Sequence, residues 1–542
     1  MADGLGVYRG GMLRWHHRGM LLRRFALRTV SLLVVSALAA GHLPLRAQSA
    51  AALPGLGDGA ALSPAAERRL GDSIVRQLYR DPDYLPDLIL MDYVQSLWQP
   101  LLLAARQRGE ALPTEEDLNA WEILLSRDRM VNAFALPGGY IGLHLGLIGA
   151  AQSRAELASV LAHELSHVTQ RHIARNMSRQ NAMAPWVLGA LVVGVLAASK
   201  GADNAQGANA AIVGSQALAV QSQLNYSRDM EREADRIGFA VLQEAGFAPQ
   251  GFVDMFAILQ QSGRLTDGGA FPYLRSHPLT TERVADMQSR IGVDAPVQHA
   301  SRQTPDPSAD WVPRLMSARA RVLAQPDPQV LAVWFAQARD EGLAAQPDAQ
   351  QAVVLYGATL AAMQVRDWPL AVSAFGRLME RCRGNATALE QARSLGAELA
   401  LAVGDSGRAL SLLAVPPGIP AAPVRAQVLL AAQARIRSGA PAVVVSDLRL
   451  WLADHPRDVA AWRGLSQAYA AMGNQVAAVR AEGEISALEQ DPAAALDRMR
   501  AAQDLARAGK WGPKGPDYVE AAIVDSRARA LATLARQQAL ER

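Results

Sequence analysis

The stretch Val160-Leu-Ala-His-Glu-Leu-Ser-His-Val168 constrains this chain more than any other. On a helix, His163 and His167 stand one turn apart and point the same way. Both imidazoles can then bind one metal ion, and Glu164, next in sequence to His163, reaches the water on that ion as a general base. Ser153-Arg-Ala-Glu156 is a capping box, so a helix is predicted to start there. Leu157, Val160, Leu161 and Val168 give it an apolar face, which fixes the histidines against a packed core instead of a loop. The alternative is a helix with two incidental histidines, and the rest of the chain must decide.

Two histidines leave a zinc ion one protein ligand short. A nearby histidine six residues after His167, with a glycine at the third, would complete one known arrangement; this chain has Gln170 and Ile173 there. His172 lies five residues past His167, about 140° round a continuous helix, and so is expected to point elsewhere. Tyr226-Ser-Arg-Asp-Met-Glu-Arg-Glu-Ala-Asp-Arg-Ile-Gly238 predicts a second helix, ended by Gly246 and Pro249, with Glu231 and Asp235 on one face. Glu233 is the competing carboxylate.

The pairing of His163-Glu-Leu-Ser-His167 with Glu231-Arg-Glu-Ala-Asp235 resembles the M48 metallopeptidases. The resemblance implies one Zn2+ per chain, Glu231 as the third ligand, and Asp235 as a carboxylate that orients a ligand histidine. Asn132-Ala-Phe-Ala-Leu-Pro-Gly-Gly139 matches the segment that forms an edge strand beside the site in that family. Ser276-His-Pro-Leu-Thr-Thr-Glu-Arg283 resembles the H-P-x-x-x-x-R element of the members joined to repeat domains. There the resemblance implies that His277 can take the fourth zinc position and displace the catalytic water, a latch. Arg283 would pair with a site carboxylate or assist the oxyanion. A plain His-Pro turn is the bland alternative.

Residues 1–47 read as a secretory signal peptide. Arginines precede a short apolar core, Thr29–Ala40, and small-residue cleavage sites follow it. An uncleaved anchor is the alternative, though the apolar run is shorter than the roughly 20 residues of a span. This leader holds seven of the 54 basic residues and one of the 51 acidic ones, leaving 47 against 50, a net of −3. No basic stripe remains to suggest nucleic acid. Cys382 is the single cysteine, so no internal disulfide is available.

Helices are expected over about 63–80 and 86–108, and short strands over Trp121–Leu125, Asn132–Leu136 and Tyr140–His144. An exposed edge strand at Asn132–Ala135 could pair with an extended peptide and present its carbonyl to the metal. Residues 185–198 are almost wholly apolar. With the loop at 200–207 and a small-residue helix over 208–222, they read as a hairpin that covers the cleft or makes peripheral contact with a membrane or client; a buried pair is the alternative.

After a turn-rich stretch ending at Pro313, His455-Pro-Arg-Asp-Val-Ala-Ala-Trp462 with Leu465, Tyr469, Gly473 and Ala477 matches the tetratricopeptide pattern. Weaker copies surround Tyr356–Phe375 and Leu395–Leu413. The expected fold is thus mainly α with a small β-sheet: a signal peptide (1–47), a zincin-like metallopeptidase domain (60–295), a linker (296–313) and an α-solenoid of tetratricopeptide-like repeats (314–542). This order resembles the repeat-bearing M48 peptidases of the Gram-negative periplasm. The resemblance implies proteolysis of misfolded or stalled outer-membrane proteins, with the repeats contacting the barrel-assembly machinery. A chaperone or assembly adaptor with a normally latent protease is the alternative.

Overall fold

A computed structural model describes residues 62–111, 119–179, 227–264, 272–294, 310–414, 424–513 and 515–540, and Ala60–Arg542 forms one compact unit. The leader at 1–47, the apolar insertion at 185–198 and the loop and helix expected over 200–222 lie outside the described residues.

The helices expected first are α1 (Pro64–Leu78) and α2 (Leu88–Gln107), capped by the Ser63 and Asp87 side chains. Among the described residues, α2 is the one helix long and apolar enough to cross a membrane. Its Leu90, Val94, Leu97, Trp98 and Leu101 are wholly buried, so that apolarity belongs to the core. The strands are β1 (Glu122–Ser126), β2 (Ala133–Leu136) and β3 (Tyr140–His144), within a residue of the expected bounds. Their order is β1-β3-β2, with β1 parallel and β2 antiparallel to β3. Gly138 and Gly139, at φ of 76° and 80°, make the tight turn that lays β2 along the outside of the sheet.

Beyond α3 (Leu145–Ala150), the Ser153–Glu156 capping box starts α4 (Arg154–Thr169), which carries the two histidines. Every residue of α4 from Glu156 to Val168 is buried. It packs against β2, α2, α6 (Arg228–Glu244) and α7 (Gln250–Arg264). Two glycines permit this closeness: a Cβ on Gly238 of α6 would lie 3.1 Å from the Ala162 carbonyl, and one on Gly251 of α7 2.4 Å from that of Ala155. Between α4 and α6 comes α5 (His172–Arg179), and α8 (Pro272–Ser276) and α9 (Thr281–Asp294) bring a further segment against the same core.

The remaining described chain is helical. It runs through α10 (Val312–Ala324), α11 (Pro328–Arg339), a 3-10 turn (Glu341–Ala345), α12 (Asp348–Gln364), α13 (Trp368–Cys382), α14 (Ala386–Ala402), α15 (Ser406–Leu413), α16 (Arg425–Arg437), α17 (Pro441–Asp454), α18 (Val459–Ala471), α19 (Gln475–Leu488), α20 (Pro492–Arg507) and α21 (Tyr518–Leu540). From α11 onward each helix packs on the next. Left-handed residues at Arg366, Gly404, Gly439 and Gly473 close the pairs, and the Asp367, Asp405 and Asn474 side chains cap the helices that follow. A helical repeat region therefore follows the sheet-bearing region, each unit burying its apolar face on its neighbours.

These repeats dock on the region that carries α4. Helix α10 packs on α2 and α3, and α16 packs on α2. At their junction Arg319 is buried, its guanidinium 2.6 Å from Asp87 Oδ2 and 2.7 Å from Glu398 Oε1. Farther along, Arg76 donates to the Gln490 carbonyl and Arg80 pairs with Asp491, joining α1 to the turn before α20. Replacing Arg319 would strand two carboxylates at this junction. We expect Arg319→Met to lower stability by about 3–5 kcal/mol in urea titrations. A change below about 1 kcal/mol, the range of surface pairs, would show that the junction is not structural.

Candidate metal centre

Four ligand-type side chains converge where α4, α6 and the α8–α9 connection meet: His163, His167, Glu231 and His277, all buried, with one ligand atom from each within 4.8 Å of the others. His163 Nε2 is 3.0 Å from His167 Nε2 and 3.3 Å from His277 Nδ1. Glu231 Oε1 is 3.0 Å from His277 Nδ1 and 3.4 Å from His167 Nε2, and Glu231 Oε2 is 3.5 Å from His163 Nε2. Ligands at the usual zinc distances form a tetrahedron with edges of about 3.3 Å. The spacing and chemistry of this donor set therefore fit a tetrahedral zinc ion.

Each donor has a local reason to be there. His163 and His167 are one turn apart on a helix buried all round, so neither ring can swing out. Glu231 falls in the first turn of α6, whose Ser227 cap fixes the helix start. His277 ends α8, its backbone N–H donating to the Tyr273 carbonyl at 2.8 Å and its ring lying 4.7 Å from that of Tyr273.

Around these lie the groups that orient them. Asp235 Oδ1 is 3.0 Å from His163 Nδ1. Arg283 reaches Asp235 with Nε at 2.6 Å and Nη2 at 2.8 Å, and Glu231 with Nη1 at 2.8 Å. Its Nη1 also donates to the Pro278 carbonyl at 2.9 Å, tying the His-Pro turn to the same two carboxylates. Glu164 Oε2 accepts from the Ala135 N–H on β2 at 3.0 Å, while its Oε1 faces His277 Nε2 at 3.5 Å and has no hydrogen-bond donor among the described residues.

The electrostatics follow from this packing. Burial opposes the charge on Glu231, yet His277 and His163 outweigh it and hold the carboxyl well below its usual range. Asp235 is likewise held down, against burial, by Arg283 and His163. Burial pulls His163 down, but its bonds to Asp235 and Glu231 prevail and raise it to about 9. His167 has less anionic support; burial, then the neighbouring His163, push it well below its ordinary value.

Two residues weighed as ligands in the sequence, His172 and Glu233, lie outside the cluster and meet each other behind it. His172 is not among the ligand atoms, but the helix phase is not the reason: α4 ends at Thr169, Arg171 turns the chain at φ 51°, and His172 Nδ1 comes to 2.9 Å from His167 Nδ1, on the side of that ring away from the cluster. The 140° phase applies to an unbroken helix, and here the helix stops three residues before His172. Glu233, the rival ligand, lies outside the cluster and instead meets His172 Nε2 at 3.0 Å and Arg175 Nη1 at 2.8 Å. No residue type in Gln170-Arg171 signals a left-handed turn, which is why the sequence did not disclose this second layer.

Comparison with known proteins agrees with this arrangement. Residues 101–291 match the description of peptidase family M48. The beta-barrel assembly-enhancing protease of Escherichia coli is 31% identical over 477 residues, covering 85% of this chain and 90% of that one. A Vibrio cholerae counterpart is 30% identical over 496 residues, 90% of this chain and 95% of its own length. The mitochondrial metalloendopeptidase OMA1 of Arabidopsis thaliana is 31% identical over 166 residues, 30% of each chain. Similarity to the bacterial proteins thus runs through the repeats as well as the catalytic region, and the chain belongs to peptidase family M48 as a metallopeptidase, among the beta-barrel assembly-enhancing proteases.

Proposed function

We propose that this chain is a periplasmic zinc endopeptidase that acts on misfolded or stalled outer-membrane proteins, and that His277 latches it shut. The observation that carries the reading is the near-tetrahedral set of His163, His167, Glu231 and His277 ligand atoms with Glu164 alongside. One Zn2+ held there would supply a Lewis acid that polarises a scissile carbonyl and lowers the pKa of a water at the site. His163, His167 and Glu231 are the permanent ligands in this reading.

The protein's own groups then divide the work. Glu164 takes the proton from the attacking water and returns it to the leaving amine. Its bond from the Ala135 N–H aims it and ties the base to β2, the strand an extended substrate would line. Asp235 sets the His163 tautomer, and Arg283 bridges the two carboxylates. In this reading His277 takes the place of the attacking water, which the 3.5 Å between its Nε2 and Glu164 Oε1 supports. Opening requires the His-Pro turn to leave, and Arg283, bonded to the Pro278 carbonyl, is what it must release.

The Escherichia coli relative is named for enhancing β-barrel assembly, which supports outer-membrane proteins as clients here and the periplasm as the location. The helical repeats offer the surface for a partner such as the barrel-assembly machinery. The closed position of His277 also favours a second reading, a chaperone or assembly adaptor whose protease is normally latent. Glu164→Gln separates the two readings: assembly help retained by that variant supports the adaptor, and its complete loss supports proteolysis as the main role.

In casein assays Glu164→Gln should lose hydrolysis while keeping zinc, and hydrolysis at the wild-type rate would refute the assignment of the base. His277→Ala should hydrolyse casein faster than wild type at equal zinc content, whereas loss of activity would make His277 part of the catalytic apparatus. Because His163 sits at about 9, the metal-free chain keeps it protonated at neutral pH and zinc must displace that proton. Apparent zinc affinity should therefore climb about tenfold per pH unit and level off above about 9. Chelator competition across that range measures it, and a flat profile from neutral pH upward would contradict the charge state.

A further inference from the structure

A histidine that binds metal through one ring nitrogen keeps its aim only if the other nitrogen has a fixed partner. For His163 that partner is Asp235. For His167 it is a second imidazole, in a segment that lies outside both motifs from which the site was first read.

The protons along this contact can be assigned one by one. His167 Nε2 faces the other three ligand atoms, so a lone pair is needed there and the ring proton belongs on Nδ1. That Nδ1 is 2.9 Å from His172 Nδ1, which must accept. The His172 proton is then on Nε2, 3.0 Å from Glu233 Oε2, and a carboxylate accepts it. The same oxygen takes Arg175 Nη1 at 2.8 Å, which fixes the carboxylate in turn. With His167 Nε2 left as an acceptor, no other assignment satisfies all three contacts. His172 is wholly buried, and the left-handed turn at Arg171 is what brings it back against His167.

We propose that His172 is a positioning residue for the metal ligand His167, with Glu233 and Arg175 fixing its tautomer, so that part of the zinc affinity is set by this relay. The proposal rests on the metal centre described under the proposed function. It gives the two ligand histidines unequal support. His163 is backed by an anion that Arg283 pairs with; His167 is backed by a neutral ring whose own proton is donated outward to a partly exposed carboxylate. It also accounts for Glu233, two residues from Glu231, being held by a bond to His172 instead of coordinating.

The test is the zinc dissociation constant of the full chain, by competition with a chromophoric chelator, together with the visible spectrum of the Co2+-substituted protein. His172→Phe keeps a ring but cannot accept from His167, whereas the carbonyl of His172→Asn can. His172→Phe should weaken zinc binding by about 10- to 100-fold and alter the Co2+ bands, and His172→Asn should recover most of both. A His172→Phe protein within about twofold of wild type, with unchanged Co2+ bands, overturns the proposal, as does equal loss in the two variants. Should His172→Phe fail to fold by circular dichroism, Glu233→Ala decides: weakened zinc binding supports the relay and unchanged binding overturns it. Wild type and His163→Ala are measured alongside. Zinc absent from wild type, or retained by His163→Ala, overturns the metal centre and this proposal with it. Zinc bound by wild type and lost from His163→Ala leaves the centre standing, so failure of the relay is read separately.

Discussion

Glu231 and Asp235 place two carboxylates in an interior where a lone carboxyl would give up its charge; Arg283 contacts both and with His163 holds Asp235 ionised, while His277 and His163 hold Glu231. The rest of the site depends on that pairing. An ionised Asp235 fixes the His163 ring, and an ionised Glu231 gives the cluster a negative donor among imidazoles. Without the guanidinium, Asp235 would lose one of the two partners that hold its charge in that interior. Arg283 also holds the Pro278 carbonyl, so the group that stabilises the carboxylates anchors the segment bearing His277. Moving His277 therefore disturbs the electrostatics of the site directly, a short physical route from the position of one turn to the state of the centre.

Packing supplies the second condition. Helix α4 is buried on every side, and the glycines at 238 and 251 allow α6 and α7 to approach its backbone closely. Glu231 and Asp235 are thereby delivered to the histidines by a rigid contact between helices. Outside this core the repeats continue the same body: α10 and α16 lie on α2, and Arg319 ties Asp87 to Glu398.

The parts legible in the sequence were those encoded locally. The H-E-x-x-H spacing, the Ser153 capping box, the helix bearing Glu231 and Asp235, and the His277–Arg283 element each depend on neighbours within a turn or two, and the fold places them together. Strand limits were read to within a residue because Pro137-Gly-Gly139 forces the turn. The role of His172 was not legible, because it depends on a left-handed arginine that composition does not announce. Nor was the docking of the repeats, which rests on pairs such as Arg319–Asp87, more than 200 residues apart and with no local signature. Even at Arg283, where a carboxylate partner was among the expectations, the double engagement of Glu231 and Asp235 appears only once α6 and α9 are side by side.

The central claim is that one zinc ion is held by His163, His167 and Glu231, with His277 closing the fourth position. X-ray absorption at the zinc edge tests it most directly on the zinc-loaded chain and its His277→Ala variant. The account predicts three imidazoles and one oxygen at about 2.0–2.2 Å in the first, and two imidazoles in the second. Fewer than three imidazoles in the wild type, or an identical shell in the variant, would contradict the latch; a zinc shell without two imidazoles in both would contradict the centre itself.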